Sequence, residues 1–146
     1  MSRGWTIACL VAPVVMALVA VVASDPQEQG APVNATTLEP IYFEAGTTDI
    51  RPRDRTVLDA HVVWLRRAGH RVLLIEGHTD EPGSRALSVE VGRDRARAAE
   101  AYLVSRGVKA HRLEIQSRSG ERPACTESTA ACRAVNRRVT FSSKAP

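Results

Sequence analysis

From residue 41 onward the chain alternates short apolar runs with longer amphipathic ones, and each pattern predicts an element. Ile41-Tyr42-Phe43 is a short apolar cluster that begins the folded part as a strand. Thr47-Thr48-Asp49-Ile50-Arg51-Pro52 then reads as a loop leading into a helix. From Arg53 to Ala68, Val57, Leu58, Val62 and Leu65 recur at helical spacing, and Gly69 ends the run. Val72-Leu73-Leu74-Ile75 is apolar without alternation, the pattern of a central strand buried on both faces. A turn-rich loop from Gly77 to Ser84 contains Pro82-Gly83. A second helix is predicted from Arg85 to Ser105, closed by Gly107. Leu113 and Ile115 flank Glu114 as a third strand, and Val139 and Phe141 alternate with Arg138 and Thr140 as a last one. The order is βαβαβ, a cysteine-containing excursion and a final β. It predicts an α+β domain, a sheet with two helices packed against it.

Ahead of this lies a different pattern. Trp5 to Ala23 carries no charge, follows Arg3, and ends in small residues before Ser24. A positive start, an apolar stretch and small residues at its end describe an export signal, with cleavage after Ala23 the natural site. The run also approaches the ~20 apolar residues that span a bilayer. Residues 1–24 are therefore expected to be a signal peptide or an N-terminal membrane anchor, and in either case the domain is exported. Cys9 reads as a small apolar leader residue, because most of the apolar stretch follows it where a lipid-attachment cysteine would close it. Residues 25–39 are polar, with Pro and Gly but no apolar period, and read as a linker. The folded domain is placed at residues 40–143.

Composition narrows the function. The 146 residues are 44% hydrophobic and 25% charged, with a net charge of +4. Those ahead of residue 40 aside, they suffice for one core. All but two of the 20 basic residues are arginine, the exceptions being Lys109 and Lys144. Charges alternate in sign and no aromatics interleave with the arginines, so no nucleic-acid partner is expected. His61, His70, His78 and His111 are scattered without metal spacing, and no hydrolase, phosphate-loop or dinucleotide fingerprint occurs. Neither an enzyme nor a cofactor or metal is expected. Cys125 and Cys132 stand seven positions apart in a Thr-, Ser- and Ala-rich segment. Export permits a bridge between them, and with no His partner nearby the pair reads as a structural staple.

One residue of the second helix stands out. At 100° per residue Leu87, Val91, Ala98 and Tyr102 share a face, and Arg95 lies in the middle of it. A guanidinium on a core-facing stripe demands an anionic partner, from the protein or from a ligand. The loop Gly77-His78-Thr79-Asp80-Glu81-Pro82-Gly83 sits between the buried strand and this helix, a common place for a ligand crevice. Two readings follow. Asp80 and Arg95 form a structural ion pair, or Asp80 accepts from an ammonium while Arg95 grips a carboxylate, together suiting a zwitterion.

Gly77-His78-Thr79-Asp80-x-x-Gly83 followed by Gly92-x-x-Arg95-Ala96 resembles the peptidoglycan-binding signature of the OmpA-like domain family. That family takes in the C-terminal domain of OmpA, the flagellar stator protein MotB and the peptidoglycan-associated lipoproteins, the last being nearest in pattern. Further agreement runs through Ile41-Tyr42-Phe43-Glu44, Ile50-Arg51-Pro52, Leu58-Asp59-Ala60-His61, Tyr102-Leu103, Gly107-Val108, Gly120-Glu121-Arg122-Pro123, the cysteine pair and Asn136-Arg137-Arg138-Val139. The resemblance covers residues 40 to 143. It implies a βαβαβ(β) sandwich, a mixed sheet with two main helices, that binds peptidoglycan without covalent chemistry. Asp80 and Arg95, fifteen positions apart, would hold the ammonium and carboxylate of the stem peptide's diaminopimelate, with Thr79, Thr47 and Thr48 flanking. It also implies a periplasmic place in a bacterial envelope, membrane-associated through the N-terminal segment if retained, with the outer membrane favoured.

The sequence departs from the family at two points near the site. Ser88 stands where Asn is usual, and Phe43-Glu44-Ala45-Gly46 replaces an aromatic and an acid of the first strand. These leave open an alternative, a periplasmic interaction domain of the same fold that docks a Tol-type protein. Elsewhere the expectations are plain: His61 as a satisfied core histidine, His78 as a loop-ordering residue, and Arg137 and Arg138 on opposite faces of the last strand, one solvated and the other paired with an acid.

Overall fold

The computed structural model describes residues 37–80 and 84–144. The leader of residues 1–24 and most of the predicted linker lie outside the described residues. Strand β1 (Thr37–Tyr42) is followed by helix α1 (Pro52–Arg67), strand β2 (Val72–His78) and helix α2 (Arg85–Ser105). A short 3-10 turn at Ala110–Arg112 leads into β3 (Leu113–Ser119), then helix α3 (Ala130–Asn136) and β4 (Arg138–Lys144). The strands form one mixed sheet in the order β1-β4-β2-β3. β4 is antiparallel to both β1 and β2, whereas β2 and β3 are parallel and joined through α2. The α+β class, the mixed sheet and the two main helices are thus as the sequence predicts.

Local chemistry explains the helix ends. Pro52 opens α1, where its missing N–H costs nothing. Asp54 in the first turn is 1% exposed and accepts from Arg51 Nε at 2.6 Å, placing a negative charge at the helix N-terminus. Arg66 and Arg67 occupy the last turn, and Gly69 at φ +60° turns the chain away. Ser84 caps α2 by accepting from the Leu87 N–H.

Four details differ from the sequence pattern. β1 starts at Thr37, so residues 37–39 belong to the sheet and not to the linker. Leu38 pairs with Phe141 and packs on the core, but the register shifts before Ile41. Pro40, with no N–H to give, sits within that irregularity on an edge strand and hides the alternation. β2 is central and buried on both faces as predicted, but only Leu73 and Ile75 enter the core beneath the helices. Its other face carries Leu74 and Glu76, and Glu76 meets Arg118 Nε of β3 at 2.5 Å. Third, α3 occupies part of the excursion before β4. It is only 7 residues long, and Thr129 caps it by accepting from the Cys132 N–H.

The fourth is the buried face of α2. It consists of Gly92, Arg95, Ala96, Ala99 and Leu103, whereas Leu87 is 47% exposed. The cause is a backbone-to-backbone approach. A Cβ built on Gly77 would lie 1.7 Å from the Gly92 carbonyl oxygen, and one on Gly92 would lie 2.6 Å from Ser117 Oγ. Helix and sheet touch with no side chain between them, so small residues define the contact stripe and the larger Leu87 falls outside it. Arg95 stays at the centre of the rotated stripe.

Candidate functional site

The strand directions gather four chain segments at one end of the sheet. Tyr42 of β1 lies opposite Arg138 of β4, and Gly77 of β2 lies opposite Val139. The segments after β1, after β2, after β3 and before β4 therefore meet at this pole, together with the N-terminal ends of α1 and α2. Asp80 and Arg95 both belong to it.

Arg95 is 0% exposed. Its Nε donates to the Thr47 carbonyl at 3.3 Å and its Nη2 to the Glu44 carbonyl at 3.4 Å. The guanidinium carbon stands 5.6 Å from the centre of the Phe43 ring. The loop after β1 is thus wrapped on the arginine, with Gly46 at φ +68° making its turn and the Thr47 N–H returning to the Glu44 carbonyl. On this side the partners of the buried cation are two main-chain carbonyls and an aromatic face, groups that the sequence pattern does not reveal.

Asp80 has a separate support. Its Oδ2 accepts from Asn136 Nδ2 at 2.9 Å. It is half-buried and lines a cavity of about 350 Å³ with Gly120, Cys125, Glu127, Arg133 and Asn136 among its other walls. No ion pair among the described residues joins Asp80 to Arg95. The two charges therefore do not close on each other in this structure. Thr79 is buried and its N–H donates to the Ser119 carbonyl at 3.4 Å, tying the end of β2 to the end of β3. Thr47 meets Arg95 through its carbonyl, while Thr48 is exposed and makes no hydrogen bond to either residue.

The Cys125–Cys132 disulfide forms as expected and joins the segment before α3 to the helix itself. Asn136 went unassigned in the sequence because its role depends on this distant loop. The signal that marks it is its position, a polar residue closing a cysteine-tied helix directly before a strand.

Three other residues behave differently from expectation. His78 bonds Thr140 Oγ1 of β4 at 3.1 Å through Nε2, so it links two strands and does not order the loop. Burial, reinforced by the nearby Arg138, pushes its imidazole down to about 4. His61 is a core histidine, edge-on to Phe141 with ring centres 4.5 Å apart, but neither ring nitrogen reaches a hydrogen-bond partner. Burial pushes it down to about 4. Arg137 and Arg138 both serve main-chain carbonyls, Arg137 Nε that of Phe43 and Arg138 Nη2 that of Arg122, and neither pairs with an acid among the described residues. Among the described residues no three His, Cys, Asp or Glu side chains group as a metal site. No helix there is long and apolar enough to cross a membrane.

Fold and site define a two-layer α+β domain with a half-exposed carboxylate and a buried guanidinium mounted on separate supports at one pole. Residues 42–137 match the OmpA family, and the chain belongs to that family. Its relatives include the peptidoglycan-associated lipoprotein of Pseudomonas aeruginosa, 43% identical over 98 residues, a match covering 67% of this chain and 58% of that protein. The peptidoglycan-associated lipoprotein of Rhizobium meliloti is 36% identical over 99 residues, covering 68% and 56%. The chain thus spans under three-fifths of the length of these relatives. Among solved structures, the peptidoglycan-associated lipoprotein from Burkholderia pseudomallei superposes with a TM-score of 0.70 at 27% identity, covering 82% of this chain and 100% of that one. The C-terminal domain of Helicobacter pylori MotB shares the fold, with a TM-score of 0.68 at 19% identity over 75% of this chain and 86% of that one.

Proposed function

We propose that this domain binds peptidoglycan non-covalently and tethers a bacterial envelope membrane to the cell wall, without catalysing a reaction on it. The ligand is the zwitterionic end of diaminopimelate in the stem peptide. Asp80 accepts from its ammonium, and Arg95 receives its carboxylate. Residues 1–24 deliver the domain to the periplasm and, where retained, attach it to the membrane, which the lipoprotein relatives suggest is the outer one.

The observation that carries this reading is the separate mounting of the two charges. Asp80 and Arg95 make no bond to each other: Asn136 holds Asp80, and the loop after β1 supplies two of the acceptors of Arg95. Arg95 is fully covered, so the segments wrapped on it, the loop of Glu44 to Thr48 among them, must yield when a carboxylate enters. Its two carbonyl bonds, at 3.3 and 3.4 Å, are long for an ionised donor and exchange favourably for a bidentate carboxylate.

Co-sedimentation with purified diaminopimelate-type sacculi tests the proposal. The wild type is expected to pellet, and Asp80→Asn and Arg95→Lys to remain soluble while keeping the wild-type circular dichroism spectrum. Wild-type-like pelleting by both variants would refute the assignment. A folded wild type that stays in the supernatant would refute wall binding and turn attention to a Tol-type periplasmic partner.

A further inference from the structure

The cavity beside Asp80 is organised by one amide. Asn136, the last residue of α3, is 3% exposed. Its Oδ1 accepts from the main-chain N–H of Ala124 at 2.8 Å and of Cys125 at 3.0 Å. Its Nδ2 donates to the Cys125 carbonyl at 2.7 Å and to Asp80 Oδ2 at 2.9 Å. Two N–H donors and two lone pairs are all that a primary amide offers, and all four are used. The amide therefore has one orientation: turned over, it would face the loop's two N–H groups with donors and Asp80 with an oxygen.

The loop that orients Asn136 is itself anchored. Cys132 lies one turn before Asn136 on the same side of α3, is 2% exposed, and is bonded to Cys125. The Ala124–Cys125 segment is thus tied to α3 twice, by the disulfide and by the asparagine amide. Asp80 arrives from β2, a distant part of the chain, and is fixed to this assembly through Oδ2, which leaves Oδ1 for a ligand. Most of the other polar side chains along the cavity, Glu127, Ser128 and Arg133 among them, belong to exposed residues.

We propose that Asn136 is the positioning residue for Asp80 and that the Cys125–Cys132 bridge maintains it, so that wall affinity depends on an oxidised disulfide more than 40 positions along the chain from the binding carboxylate. The inference rests on the reading of Asp80 as the ammonium ligand. Pre-fixing a carboxylate spares the ligand the entropy of ordering it. Asn136→Asp retains the shape but replaces the donor with a second carboxylate. Asn136→Ala removes the donor and lets Asp80 turn.

The test is titration calorimetry of the detergent-solubilised full chain with a soluble diaminopimelate-containing muropeptide. The proteins are wild type, oxidised and reduced with a phosphine, Cys125→Ala/Cys132→Ala, Asn136→Ala, Asn136→Asp and Asp80→Asn, each checked for fold by circular dichroism. Reduction and the double cysteine variant are expected to weaken binding at least threefold, and Asn136→Ala about tenfold, the worth of a charge-assisted hydrogen bond. Against the same muropeptide acetylated on its diaminopimelate amine, wild type and Asn136→Ala should bind equally weakly, which a purely structural role would not produce. If Asp80→Asn abolishes binding while the folded Asn136→Ala and double cysteine variants keep wild-type affinity, the positioning role is overturned and the function stands. Undiminished binding by Asp80→Asn overturns both.

Discussion

Gly77→Ala is the substitution to which this fold should be least tolerant. An alanine in a strand is ordinarily favoured over glycine by roughly 0.5–1 kcal/mol, so intrinsic preference predicts a gain. Here the added Cβ would lie 1.7 Å from the Gly92 carbonyl oxygen, 2.6 Å from its carbonyl carbon and 3.2 Å from its Cα. All three atoms are main chain, so no rotamer relieves the overlap. Restoring an ordinary contact requires α2 and β2 to separate by about 1.5 Å, against Ala96, Ala99 and Leu103, which are each 0% exposed in the core. Overpacking costs roughly 1–3 kcal/mol where side chains adjust. With main chain on one side the expected cost is about 3 kcal/mol or more, a large share of a small domain's stability. Urea denaturation followed by far-ultraviolet circular dichroism measures it. Gly92→Ala provides the internal comparison, since its Cβ meets the rotatable Ser117 Oγ at 2.6 Å and the Gly77 oxygen at 3.0 Å, and it should cost less. Arg95 follows Gly92 by one turn, so the Gly77→Ala protein should also lose affinity for sacculi under conditions where it remains folded. A Gly77→Ala midpoint within 1 kcal/mol of wild type, at unchanged m-value, would show that the helix does not rest on the strand backbone.

Two further substitutions probe the core. His61 is held near 4 by burial, below its ordinary 6.5, so the folded state resists its protonation. Its contribution is intact above about pH 6.5 and is lost as the pH falls toward 4, amounting to about 2–3 kcal/mol by pH 4.5. His78 shifts in the same direction, so the measurement is the difference between wild type and His61→Leu, whose stability should fall less between pH 7.5 and 4.5; equal falls would remove His61 from the account. Asp54→Ala leaves Arg51 without its 2.6 Å partner and strips the buried charge from the first turn of α1. A loss of about 2–3 kcal/mol in urea titrations is expected, and less than 1 kcal/mol would show the pair to be incidental.

What the sequence revealed and what it hid divide along physical lines. Large apolar residues at strand or helix spacing placed α1 within a residue and the starts of β2, β3 and β4, though each of these strands runs three or four residues past its apolar run, and the punctuation of Ser84 and Gly107 placed α2. The face of α2 was misread because a helix that packs through Gly92, Ala96 and Ala99 shows little in an apolar pattern. Leu87 outweighs them there and sits outside the contact. Helix α3 was missed because a helix of 7 residues is shorter than the window in which periodicity speaks. Asp80, Arg95 and the cysteine pair were legible as types at a spacing. The partners were not, since Arg95, Arg137 and Arg138 all reach carbonyls, and every residue supplies a carbonyl. Asn136 was illegible for a related reason: its orientation is set by N–H groups of a loop closed by a disulfide.

The strand directions also bear on the proposed tether. β1 is an edge strand bonded on one side to β4, and it enters the sheet at Thr37, opposite Ser142, at the end remote from Asp80 and Arg95. With the wall gripped at the site and the membrane pulling through the chain ahead of Thr37, the load on β1 runs along its own axis. The β1–β4 hydrogen bonds lie across that axis, so the load is shared among them. At the site end the Phe43 N–H to the Arg137 carbonyl at 2.9 Å and Arg137 Nε to the Phe43 carbonyl at 3.3 Å extend the same ladder beyond Tyr42. These bonds join Phe43, the core residue directly after the edge strand, to the residue after Asn136, and so link the pulled strand to the support of Asp80. A strand entering from the site end would instead be peeled away one pair at a time, beginning beside the ligand.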